Sequence, residues 1–203
     1  DFIRRHEISA NEDLDFEFIG APLNADADPI GAEEFEAISV FVDSRVEKPV
    51  LDMFPKLSFI ATRSTGFDHI DLEECARRDI TVSNVPAYGE NTVAEYAMAL
   101  LANLMRRIAE GYDRLRDDGQ FNPRGLEGSD LKGKTLGVIG TGNIGKCTIR
   151  IAKGFGMNVV AHDPSPDQEY ANELGFAYKE LTDVLGESDA VTLHVPYRES
   201  THH

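Results

Sequence analysis

At 203 residues, 41% hydrophobic and 28% charged, the chain has the composition of a globular, water-soluble protein with room for one large domain or two modest ones. Its formal charge of −16 sits mainly on residues 1–60, with 14 acidic against 5 basic side chains, and this excludes a broad basic face for nucleic acid. No apolar run reaches the length of a membrane span, no signal-peptide pattern opens the chain, and the two cysteines, Cys75 and Cys147, stand outside any motif; the expected compartment is the reducing cytoplasm, away from membranes.

In chain order, residues 1–7 read as a helix already under way. Strands are expected at 15–19, 38–42, 57–61 and 80–84, with short helices at 32–37, 49–54 and 72–78 between them. Strands alternating with helices specify a parallel sheet covered on both faces. The first lobe lacks an opening strand of the kind that is commonly central in doubly wound sheets, so the native chain is expected to start further upstream. A long helix follows at 90–108. Val93, Ala94, Ala97, Met98, Leu100, Leu101, Leu104, Met105 and Ile108 leave it little polar face. A helix apolar nearly all round is buried between bodies. Packing in its own core and a shared dimer interface are both open readings. Residues 109–130, polar and glycine-containing, read as a connector.

The chemistry concentrates in residues 135–163. A strand-like run, 136–139, enters Gly140-Thr-Gly142-Asn-Ile-Gly145, and Ile144, Cys147, Thr148, Ile151, Ala152 and Phe155 follow at helical spacing. A second strand, 158–162, delivers Asp163 at its end, 18 residues past Gly145. Gly140 permits the tight turn, Gly142 lets a pyrophosphate approach the backbone, and Gly145 lets helix and strand pack closely. The helix N-terminus offers free N–H groups and a positive dipole end to the phosphates. An acid near this spacing bonds a ribose 2′-OH and disfavours a 2′-phosphate, so the ligand expected is NAD rather than NADP. A ligand-free turn and a nucleotide-like ligand such as S-adenosylmethionine are the competing readings. A helix at 168–174, a strand at 176–178, a helix at 181–186 and a strand at 190–195 complete the chain.

Several segments in this order resemble the D-isomer-specific 2-hydroxyacid dehydrogenases: Arg63-Ser-Thr-Gly-Phe-Asp-His-Ile-Asp71, Asn84-Val-Pro-Ala-Tyr88, Asn91-Thr-Val-Ala-Glu95, Leu131 through Gly145, and His194-Val-Pro196. Residues 125–128 and Pro86-Ala-Tyr88 are most similar to the D-lactate dehydrogenase branch. The resemblance implies an α/β chain with a flavodoxin-like N-terminal substrate lobe over residues 1–89 and a Rossmann NAD-binding domain over 90–203. Both would be doubly wound parallel sheets, truncated at the two ends. It also implies reduction of a small 2-keto acid by NADH, or the reverse; from its own apolar pattern, the helix at 90–108 is expected to join a homodimer.

The same resemblance carries roles to individual positions. The turn at Ser64, Thr65 and Gly66 resembles one whose backbone N–H groups hold the substrate carboxylate. Tyr88 matches a tyrosine that closes the substrate pocket, and an aromatic wedge at the domain boundary is its plainer reading. Thr92 and Val93 would face the nicotinamide. Asn143 and Ile144 would present amides to the pyrophosphate beside Gly140, Gly142 and Gly145. Val195 and Pro196 would flank the adenosine, with Thr201 near the cofactor. The family's arginine, glutamate and histidine of hydride transfer belong to the second half of the Rossmann domain, and the chain ends at Thr201-His202-His203. None of its six histidines substitutes for the missing one, so no catalytic residue is named within it. His69 reads as structural. A non-catalytic NAD(H) sensor is the alternative function.

Overall fold

A computed structural model describes residues 16–119, 121–196 and 201; the helix expected at 1–7 lies outside them. The chain divides into two compact units, residues 1–88 and 89–203.

In the first unit, strands β1 (Ala37–Val40), β2 (Phe59–Thr62) and β3 (Thr81–Ser83) form a parallel sheet in that spatial order. Parallel neighbours need a crossover, and helices α1 (Lys48–Leu51) and α2 (Leu72–Arg77) supply it. Pro49 starts α1 where a missing N–H is harmless, and the Asp71 carboxylate caps α2 by accepting from the Glu74 N–H at 2.9 Å. Val46, Val50, Leu51, Ile60 and Cys75 are buried beneath the sheet and helices. Residues 16–19, expected as a strand, take no regular structure, and Phe16, Phe18 and Ile19 stay 41–51% exposed. Their alternation suits a strand, but a strand exists only where a neighbour completes its ladder.

In the second unit, β4 (Thr135–Ile139), β5 (Asn158–His162), β6 (Ala177–Tyr178) and β7 (Ala190–Leu193) are all parallel, in the spatial order β6-β5-β4-β7. Helices α3 (Glu90–Arg106), α4 (Ile108–Asp118), α5 (Asn143–Gly154), α6 (Gln168–Leu174) and α7 (Leu181–Glu187) flank them. Met98, Leu136, Val138, Ile149 and Ala161 share one core, which joins α3 and α5 to the sheet.

One expectation changes here. The long helix ends at Arg106, and Arg107 takes a left-handed φ of +53°. The stretch read as a connector opens with a second helix, α4, whose ion pairs Arg107–Glu110, Arg114–Glu110 and Arg116–Asp113 lie at helical spacing. The apolar helix α3 is also not enclosed all round within its unit. Ala94 and Met98 are buried, while Val93, Tyr96, Leu100 and Leu104 are 46–75% exposed. Among the described residues no helix is long and apolar enough to cross a membrane.

Candidate functional site

The end of β4 builds the first part of the site. Gly140 has φ +89°, and a Cβ there would stand 2.5 Å from the His194 carbonyl oxygen and 2.8 Å from the Val195 side chain. Val195 is thereby packed against the loop. Gly142 caps α5 with an extended backbone, and a Cβ there would meet nothing within 4 Å. A Cβ on Gly145 would strike the Gly140 carbonyl oxygen. The open side at Gly142, facing the N-terminus of a 12-residue helix, is a cradle that fits a dinucleotide pyrophosphate. Asn143 is exposed and Ile144 half-buried at that N-terminus. The Asn143 side-chain amide donates to the Glu90 carboxylate at 2.5 Å, which brings the first turn of α3, with exposed Thr92 and Val93, to the same loop. Thr201 donates its hydroxyl proton to the Pro196 carbonyl at 2.7 Å, so these two residues lie together past the end of β7.

Asp163 stands at the end of β5, its carboxylate aimed back at the loop. It accepts from the Thr141 N–H at 2.6 Å, the Thr141 hydroxyl at 3.0 Å and the Ser165 N–H at 2.8 Å. With its proton committed, Thr141 accepts from the Tyr178 hydroxyl at 2.8 Å. Burial pushes the Asp163 carboxyl up, and these hydrogen bonds outweigh it and hold the group below its ordinary value. An ionised acceptor therefore stands where a ribose diol would be read. Thr141 and Tyr178 went unnoticed in the sequence. The signal was a hydroxyl between two glycines of the loop, which no spacing rule singles out.

His194 does not face the cradle. Its Nε2 lies 3.1 Å from the Thr148 hydroxyl and 3.0 Å from that of Thr192. Thr148 gives its own proton to the Ile144 carbonyl at 3.0 Å, so it accepts from an Nε2–H. Burial holds His194 below the usual 6.5. Burial likewise lowers His69 in the first unit, against an opposing pull from Asp68. Both rings resist a proton in the fold that the unfolded chain accepts below 6.5. Stability is thus expected to hold above that value and to decline as pH falls from it toward the lowered folded values. Urea unfolding at about pH 7.5 and about pH 5.5 checks this: a lower midpoint in acid is expected, and a smaller drop in His194→Gln.

The turn at 64–66 lies in the first unit, past the end of β2. Ser64 is buried, Thr65 and Gly66 are exposed, and four successive carbonyls are held. Ser64 O accepts from the Val85 N–H at 3.1 Å, Thr65 O from the Asn84 side chain at 2.9 Å, Gly66 O from the Ser64 hydroxyl at 2.7 Å, and Phe67 O from the Ile70 N–H at 3.0 Å. A trans peptide points its N–H opposite its C=O, so each held carbonyl aims the next amide away from its own partner. Where successive turn amides point one way they form an anion nest. Tyr88 closes this unit's sequence, 60% exposed. Among the described residues no group of three or more His, Cys, Asp or Glu is placed to hold a metal ion.

Residues 98–203 match the family model described as D-isomer specific 2-hydroxyacid dehydrogenase, NAD binding domain. The chain is 42% identical over 170 residues to D-lactate dehydrogenase of Escherichia coli, covering 83% of this chain and 51% of that protein. It is 39% identical over 180 residues to glyoxylate reductase of Korarchaeum cryptofilum, covering 87% and 49%. The solved D-lactate dehydrogenase from Aquifex aeolicus, complexed with NAD and lactic acid, superposes with a TM-score of 0.78 at 38% identity, covering 85% of this chain and 51% of that one. The chain spans about half the length of the curated relatives it matches.

Proposed function

Since the chain belongs to the D-isomer-specific 2-hydroxyacid dehydrogenase family and carries its NAD-binding domain, we propose that it serves an NAD-dependent interconversion of a small 2-keto acid and its D-2-hydroxy acid. The observation that carries this reading is the pairing, in one chain, of an open Gly142 cradle with an ionised Asp163 and a turn with four held carbonyls. Residues 1–89 would form the substrate lobe and 90–203 the NAD-binding domain. The amides after Ser64 and Thr65 hold the substrate carboxylate, and Tyr88 closes over the substrate. Gly140, Gly142, Asn143, Ile144 and Gly145 seat the pyrophosphate, and Asp163 takes the ribose diol. Thr92 and Val93 pack on the nicotinamide side, with Val195, Pro196 and Thr201 on the adenosine side. When bound, the cofactor supplies or accepts the hydride. The proton-transfer group and the polarising arginine are not among these residues. The two cysteines are buried free thiols, in keeping with a cytoplasmic site of action.

The test is oxidation of NADH by the full-length protein, followed at the nicotinamide absorbance, against a panel including pyruvate and glyoxylate. Turnover of a 2-keto acid is expected; cofactor binding without turnover of any of them would overturn the enzymatic reading.

The exposed apolar side of α3 and α4 is proposed as the homodimer face. Tyr96, Leu100 and Leu104 on α3, and Ile108, Tyr112 and Leu115 on α4, recur at helical intervals within each helix and are each at least 49% exposed. Exposed apolar side chains in such numbers mark an interaction surface. Leu104→Glu, at a position 75% exposed, is expected to turn a dimer into a folded monomer. Sedimentation velocity reads this, and a monomeric parent protein would refute it.

A further inference from the structure

Beneath the turn at 64–66 lies a buried chain of hydroxyls whose direction the geometry decides. Thr62 Oγ1 is 2.6 Å from Ser64 Oγ and 3.1 Å from His69 Nε2, while Ser64 Oγ is 2.7 Å from the Gly66 carbonyl oxygen. Thr62 and Ser64 are 2% and 3% exposed, so water does not offer easy substitutes. A carbonyl can only accept, so the single Ser64 proton goes to Gly66 O. Ser64 must then accept from Thr62, whose proton is spent in turn. Thr62 must accept from the imidazole, and among the described residues the donor in reach is an Nε2–H. Each hydroxyl has one proton, so with the Ser64–Gly66 bond in place the direction of the whole set follows.

From this we infer that His69, bearing its proton on Nε2, is a positioning residue for the carboxylate-binding turn, acting through Thr62 and Ser64 on the Gly66 carbonyl. The inference deepens the proposed function and rests on its reading of residues 64–66. Holding the Gly66 carbonyl inward fixes the plane of the next peptide and aims the Phe67 N–H outward. The Asn84 side chain does the same from the other side, through the Thr65 carbonyl at 2.9 Å, for the Gly66 N–H. The peptides on both sides of Gly66 are thus held, so the Gly66 N–H assigned to the carboxylate meets an anion with no reorganisation. Burial keeps the ring neutral, which limits it to one proton and makes its tautomer decisive. Cutting the chain at Thr62 frees Ser64 to turn and releases the Gly66 peptide, while the cofactor cradle in the other unit is untouched.

Two measurements test this. Long-range 1H–15N spectra of the protein with labelled histidine should show His69 protonated at Nε2 and bare at Nδ1; the opposite tautomer would overturn the relay whatever the protein's activity. In steady-state kinetics of the full-length protein, Thr62→Val and His69→Leu should raise KM for the 2-keto acid about tenfold, the order for a lost hydrogen bond at an anion site, with NADH affinity unchanged. His69→Gln, which keeps a donor near the Nε2 position, should restore KM to within about threefold of the parent. Equal KM values for the Leu and Gln variants would reduce His69 to a packing role and defeat the inference. If the parent protein turns over no 2-keto acid, the functional proposal fails, and the tautomer still decides whether the relay exists.

Discussion

Gly142→Ala is expected to leave the melting temperature unchanged and to weaken NADH binding at least about tenfold, while Gly145→Ala is expected to lose the fold's stability first. The two glycines stand three residues apart, one at the N-cap of α5 and one in its first turn, and differ in what surrounds them. At Gly142 a Cβ enters open space and φ is −63°, which any residue adopts, so the protein itself has no objection. The methyl would instead occupy the volume a pyrophosphate needs to reach the helix N-terminus. At Gly145 the methyl meets the Gly140 carbonyl oxygen, a backbone atom fixed by the bend at φ +89°. Overpacking of this kind costs about 1–3 kcal/mol or more. Thermal melts alongside NADH fluorescence titration separate the two effects. A Gly142→Ala protein that binds NADH as tightly as its parent would remove the loop from the cofactor site.

Asp163→Ala is expected to weaken NADH by about 1.5–3 kcal/mol, roughly tenfold to a hundredfold, through loss of a hydrogen bond to an ionised acceptor. NADPH should suffer far less, because the same change removes a negative charge from the neighbourhood of its 2′-phosphate. The structure adds a complication, since Asp163 also satisfies the Thr141 and Ser165 amides, and its removal slackens the loop for either cofactor. The informative quantity is therefore the ratio of the two affinities. Tyr178→Phe is the control: it removes only the donor to Thr141 and should move both cofactors alike. An unchanged ratio in Asp163→Ala sinks the ribose role.

The parts of this protein legible in its sequence are those written in short-range patterns. A strand, a glycine turn, a helix and an acid-ended strand lie consecutively at 135–163, and the parallel pairing of β4 with β5 follows from that order. The hydrogen-bonded sets were not legible. Thr141 and Tyr178 are 37 residues apart and meet because β6 lies one strand beyond β5. Thr62, Ser64 and His69 are close in sequence, but their joint orientation depends on a turn whose carbonyls are held by Asn84 and Val85 from the next strand's end. Helix α4 was missed because the pattern of charges at 107–116 resembles a polar linker until the ion pairs are seen. Of the strand expected at 15–19, the described residues 16–19 take no regular structure for the complementary reason: a suitable pattern does not supply the neighbour that completes a ladder.

Arg107 carries a further consequence. A non-glycine residue in the left-handed region costs about 1 kcal/mol, so glycine would relieve the break between α3 and α4. Yet the side chain whose Cβ makes the position strained ends in a guanidinium that donates to the Gly125 carbonyl at 2.9 Å and to Glu110 at 2.8 Å, drawing the segment after α4 back to the helix junction. Gly128 presses so closely on the Met105 carbonyl that this returning segment has no room for a side chain there. The junction thus exchanges conformational ease for tethering: a glycine at 107 would make the corner comfortable and remove one of the tethers on the strap, leaving Arg114 on the Arg124 carbonyl and the Ser129 N–H on the Met105 carbonyl.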